Sequence, residues 1–195
     1  AVTLLNVIDK TISPMGGRLL KRWLALPLKN ADKIKQRHEV VHFLTKEKTT
    51  LQKIQNHIKH IGDLERLISK VATGKVNPRE VIQLKNSLEA IVPIKSIASA
   101  CNNQSLKIIG DTLQSCDVLR EKIKETLNEE APVNVLKGHT IAPGFSSELD
   151  ELRGLSKSGK NYLDQMLTRE SERTGITSLK IDSNNVFGYY IEVRN

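Results

Sequence analysis

Hydrophobic residues recur along this chain every three to four positions almost to its end, a spacing that predicts helices. Ser13-Pro14 reads as a helix start: a hydroxyl cap, then a residue whose missing N–H costs nothing at the first helical position. Met15, Leu19, Trp23 and Leu26 line one face, with Arg18, Lys21 and Arg22 largely opposite, until Pro27 ends the segment. Ile34, Val41 and Leu44 mark a second amphipathic helix. Leu51, Ile54, Ile58, Ile61 and Leu64 mark a third, running towards Val71 and stopped near Gly74. Asn77-Pro78-Arg79-Glu80 has the spacing of a capping box and opens a fourth, whose stripe is Val81, Leu84, Leu88 and Ile91. Leu106, Ile109, Leu113, Cys116, Ile123 and Leu127 then alternate three- and four-residue steps, interrupted only by Arg120. That pattern reads as a coiled-coil seam in long, narrow helices.

From Ala131 to Ser147 the texture changes, with Pro132, Gly138, Pro143 and Gly144 interrupting any helix. This is the best boundary in the chain and divides it into residues 1–145 and 146–195. Leu149, Leu152, Leu163 and Met166 restore a helix that continues to Thr174-Gly175. The period then switches to two. Leu179 and Ile181 alternate with Lys180 and Asp182, Ser183-Asn184-Asn185 makes a turn, and Phe187, Tyr189, Ile191 and Val193 share a strand face. The fold class is therefore mostly α: an elongated, lever-like helical bundle with a small terminal β-hairpin. A lone hairpin is marginal in water. Together with the missing initiator methionine, this makes a piece of a longer protein the expectation.

Charge adds a direction. Lys and Arg number 30 against 22 Asp and Glu, and residues 1–75 hold 15 basic against 6 acidic side chains. Clustered cations suit the phosphates of nucleic acid, or else a solvated helix surface. Aromatic content of 4% argues against a platform that stacks single-stranded bases. No apolar run approaches the ~18 residues of a membrane span. There is no basic-then-apolar leader, and two cysteines without metal-type spacing fit a reducing compartment, so a cytoplasmic location is expected.

Two motifs resemble chemistry. His38-Glu39-Val40-Val41-His42 is H-E-x-x-H, whose imidazoles at i and i+4 can face one zinc ion with the Glu as general base. The surroundings argue for plain helix instead, since Lys35, Lys46 and Lys48 would oppose a dication. Gly154-Leu155-Ser156-Lys157-Ser158-Gly159-Lys160-Asn161 nearly completes a phosphate loop. Asn161, however, lacks the hydroxyl that holds magnesium, and helix precedes the segment where a strand is required. His57 and His60 have no ligand-type neighbours and read as solvated residues.

Five blocks in order carry a family resemblance. Thr11-Ile12-Ser13-Pro14-Met15-Gly16-Gly17-Arg18-Leu19-Leu20-Lys21-Arg22-Trp23-Leu24, with Pro27-Leu28, resembles the opening of the core of the MutS DNA mismatch repair family. Ile61-Gly62-Asp63-Leu64-Glu65-Arg66-Leu67 and Asn77-Pro78-Arg79-Glu80 resemble the next hallmark and the start of a lever helix. Gly144 to Arg153 is similar to the approach to the clamp. Arg169-Glu170, Thr174-Gly175-Ile176 and Val186-Phe187-Gly188-Tyr189-Tyr190-Ile191 are similar to its first hairpin.

The resemblance implies lever helices that couple an ATPase domain to a DNA-gripping clamp, with the ATPase outside this chain and the clamp cut short. It makes Arg37 to Leu44 a structural helix and the H-E-x-x-H match incidental. It implies no catalysis and no cofactor on the chain itself, and ATP with magnesium for the full-length protein. The implied partners are mismatched duplex DNA, a second MutS subunit and MutL, with no membrane. Clamp contacts go to the DNA backbone, and the candidates are Lys180, Asn184, Asn185, Arg194 and Asn195. A zinc hydrolase using His38, Glu39 and His42 and a helical protein-binding scaffold are the alternatives.

Overall fold

A computed structural model describes residues 2–186 and 188–193 of the chain. The chain is mostly α-helical and closes on a small antiparallel hairpin. It divides into two compact units, Ala1–Ala142 and Pro143–Asn195.

The first unit opens with a helix the apolar period did not signal, α1 (Leu4–Ile8), held by a capping box between Thr3 and Asn6. In α2 (Pro14–Ala25), Ser13 Oγ accepts from Gly16 N at 3.1 Å, so the Ser-Pro start acts as read. Asn30 caps α3 (Ala31–Lys46) through a 2.9 Å bond from Lys33 N.

The expected third helix is in fact two, α4 (Lys48–Ile58) and α5 (Leu64–Ala72). The chain turns between them because Asp63 is itself an N-cap, accepting from Arg66 N at 3.2 Å. Gly62 meanwhile lies close against the next helix. A Cβ there would stand 3.2 Å from Ser87 Oγ, which instead accepts from Gly62 N at 3.0 Å.

That next helix, α6 (Pro78–Ala100), carries the expected capping box and is the spine of the unit. Helices α4, α5, α7 (Gln104–Thr112) and α8 (Asp117–Thr126) all pack on it. It is therefore buried on more than the single stripe expected: Ile82, Lys85 and Ser87 are covered as well as Leu84, Leu88 and Ile91. One apolar cluster joins Leu67, Leu84, Leu88 and Ile91, and a second joins Ile54, Ala98 and Leu106. Pro93, which cannot donate a helical hydrogen bond, falls on α6 between the stretches feeding the two clusters.

No continuous seam runs from Leu106 to Leu127. The chain turns at Leu113–Cys116, with Cys116 in the left-handed region at φ 49°, and α7 and α8 fold separately onto α6. Gly110 explains the close approach of α7, because a Cβ there would sit 2.7 Å from that of Ala98. Arg120, the interruption in the heptad pattern, holds the turn by donating to Ser115 O at 2.9 Å and pairing with Asp117 at 2.6 Å. Lys95 of α6 donates to Leu113 O at 3.1 Å. After α8, Leu127 and Ile141 form an isolated bridge that closes a loop over buried Ala131.

The second unit is α9 (Ser147–Thr174) followed by β1 (Leu179–Asn184) and β2 (Gly188–Val193). Ser146 caps α9, whose 28 residues extend about 42 Å. Its far end stops at Gly175, in the left-handed conformation at φ 71°. The strands pair antiparallel with Leu179 opposite Val193, Ile181 opposite Ile191 and Ser183 opposite Tyr189. These six therefore share one face, and α9 packs against β1. Phe187, assigned to that face from its period, lies outside the described residues.

Candidate functional site

The first three blocks that carry the family resemblance meet at one junction in the first unit. Arg18, on α2, spans two carboxylates at the start of α5. Its Nη1 and Nη2 donate to Asp63 at 2.8 and 2.7 Å, and its Nε donates to Glu65 at 2.8 Å. Fork-to-fork pairing of this kind fixes orientation as well as distance. The Arg18 guanidinium holds the Asp63 carboxyl down to about 2, and Arg18 itself is raised. From α5 the connection continues to α6 through Gly62 N and Ser87 Oγ, and through an ion pair of Lys70 with Glu80. The hydrogen bond from Lys70, then that from Asn77 N–H, lowers the Glu80 pKa. The periodicity did not reveal this junction, because reading residues 51–71 as one helix concealed the capping role of Asp63. The signal was present in Asp63, an N-cap residue immediately before Leu64, with acidic Glu65 in the first turn.

The H-E-x-x-H residues do not assemble a metal centre. His38 and His42 are exposed on α3, and the Glu39 carboxylate is engaged by Ser105 Oγ of α7 at 2.7 Å. Glu39 thus fastens α3 to α7. Among the described residues no three His, Cys, Asp or Glu side chains converge as a metal site.

Beside that contact lies a groove of about 390 Å³ between α2, α3 and α7. Trp23, Val41, Ile108 and Ile109 supply apolar walls, and Lys33 and Arg37 lie along it. The Arg37 guanidinium stacks 3.6 Å from the Trp23 ring centre.

Gly154 to Asn161 falls within α9. Its backbone N–H groups are committed to helical bonds and cannot cradle phosphates, so these residues do not fit a nucleotide. Among the described residues no helix is long and apolar enough to cross a membrane.

In the hairpin, Lys180 sits opposite Glu192 and Asn184 opposite Gly188. By strand alternation Lys180, Asp182 and Asn184 share a face, so the cation stands among carboxylates. Asn184 Oδ1 accepts from Val186 N at 3.0 Å and shapes the turn, where Asn185 is exposed. Arg194 and Asn195 lie outside the described residues.

A helical framework built on one spine, and a long helix leading into a hairpin, define this chain as a mostly α-helical structural module. The sequence profile of MutS domain III matches residues 1–184, and the chain belongs to that family. It is 69% identical over all 195 residues to the DNA mismatch repair protein MutS of Christiangramia forsetii and 66% identical to that of Flavobacterium psychrophilum. The MutS of Parabacteroides distasonis is 52% identical over 193 residues. The chain spans 22% of the length of each of these curated relatives.

Proposed function

We propose that this chain is the framework-and-arm segment of a MutS-type mismatch repair protein. In this reading α2, α5 and α6 form a rigid block that conveys a change of state at a distant ATPase to the DNA grip. The hairpin begins that grip. The observation that carries the reading is the Arg18–Asp63–Glu65 junction. It clamps the first family block to the second with oriented charge-assisted bonds, and the second is bonded to the spine. A joint of this kind transmits displacement, since packed elements move together or not at all.

Lys180, Asn184, Asn185, Arg194 and Asn195 are proposed to meet duplex phosphates, which positions the protein without reading sequence. ATP hydrolysis is assigned to no residue of this chain. A second MutS subunit, MutL and a cytoplasmic location belong to the same reading of the full-length protein.

The test is Arg18→Gln in the full-length protein. Mismatched-duplex affinity in the absence of nucleotide should stay within about twofold. ATP-induced release should slow by roughly two- to thirtyfold, the span expected when a coupling element is loosened. Unchanged release kinetics in a folded variant would refute the transmission role.

A further inference from the structure

We infer that the groove between α2, α3 and α7 seats an acidic segment with apolar anchors, contributed by the same polypeptide from outside these 195 residues. Apolar area left in water at this one place is considerable: Trp23 is 40% exposed, Val41 60%, Ile108 49% and Ile109 48%. Scattered exposed leucines are ordinary, but a contiguous concave patch with a polar edge marks an interface.

The charge along the groove selects the occupant. Lys33 and Arg37 lie along it, and neither has an ion pair among the described residues. Of the two carboxylates on α3, Glu39 is engaged by Ser105, and Asp32, in the first turn of the helix, is not among the residues that line the groove. Arg37 is also pre-ordered by its stack on Trp23, so its edge donors can take a carboxylate with little further loss of side-chain freedom.

A second copy of the chain is the poorer fit. A two-fold interface brings a patch against itself and would set these cations face to face. The chain is 22% of the length of its relatives, so in a full-length protein the rest of the same polypeptide is the partner at highest effective concentration.

The experiment uses the full-length protein with a photo-reactive amino acid in place of Val41, followed by digestion and mass spectrometry. The expected result is one dominant cross-link to an Asp- or Glu-bearing stretch outside this segment. Its yield should not depend on protein concentration, and it should fall several-fold in a folded Lys33→Glu variant or at high salt. In parallel, thiol labelling of Val41→Cys should be at least about tenfold slower in the native protein than in denaturant, as expected for a covered site. A yield rising with concentration means another molecule in the groove and overturns the inference. Attachment to an uncharged or basic stretch, or no cross-link to a segment outside this chain, overturns it equally.

Discussion

Single side chains do the joining in this molecule. Ser87 is 0% exposed and uses its hydroxyl twice, donating to Gln83 O at 2.8 Å and accepting from Gly62 N at 3.0 Å. Ser87→Ala removes the acceptor and leaves a sheltered N–H unpaired. The expected cost is about 1–3 kcal/mol, read as a lower denaturant midpoint at unchanged slope. Asp63 supplies a pH signature. Its carboxyl titrates at about 2 in the folded chain against 3.8 normally, because Arg18 stabilises the charged form. A depressed carboxylate stabilises the fold fully above its unfolded pKa, and that stabilisation is lost as pH falls from about 4 towards 2. Asp63→Asn keeps the cap on α5 but removes the charge facing Arg18. Wild type and variant should therefore differ in stability at neutral pH and converge between about pH 4 and pH 2, as followed by circular dichroism in an acid titration.

Among the elements, α6 decides the arrangement because four helices share it. Its fit with α7 depends on Gly110, where an added methyl would meet Ala98 at 2.7 Å. Gly110→Ala improves intrinsic helix propensity by up to about 1 kcal/mol but overpacks this crossing. We expect net destabilisation of about 1–3 kcal/mol, measured by urea unfolding. A stabilised variant would show that α7 can slide along α6 freely. The same crossing explains why the heptad-like run from Leu106 to Leu127 forms no coiled coil. Its apolar residues face a spine across a turn, with Leu106 and Ile123 buried and Ile109 half in water.

At the scale of the molecule, charge is unevenly distributed along the chain. The excess of cations lies in residues 1–75, whereas the hairpin proposed to touch DNA offers Lys180 beside Asp182 and Glu192. The arm should therefore contribute few phosphate contacts. For the full-length protein, Lys180→Ala should weaken duplex binding uniformly across sequences. It should also reduce the slope of log affinity against log salt by about one, the loss of a single counterion-releasing contact. A slope unchanged within error would remove Lys180 from the interface.

Local signals were legible in the chain wherever the physics is local. The Ser13-Pro14 start, the Asn77–Glu80 capping box, the Gly175 stop and the alternation in the hairpin each need only neighbouring residues, and each is present. Periodicity was silent where two segments share one apolar rhythm but a cap or a left-handed residue separates them, as at Asp63 and Cys116. The H-E-x-x-H match, read as plain helix from its lysine neighbours, still did not disclose the role of its glutamate, because spacing along a helix cannot show that Ser105, 66 residues away, holds it. What the sequence alone determined about this protein is its helical class, its terminal hairpin and its family, because these follow from period, caps and ordered motifs. Only the tertiary structure decided that Arg18 bridges Asp63 and Glu65, that α6 is the spine, and that a cationic apolar groove lies open beside Trp23. Those depend on which faces meet, and contacts between residues far apart in the chain leave no periodic trace in it.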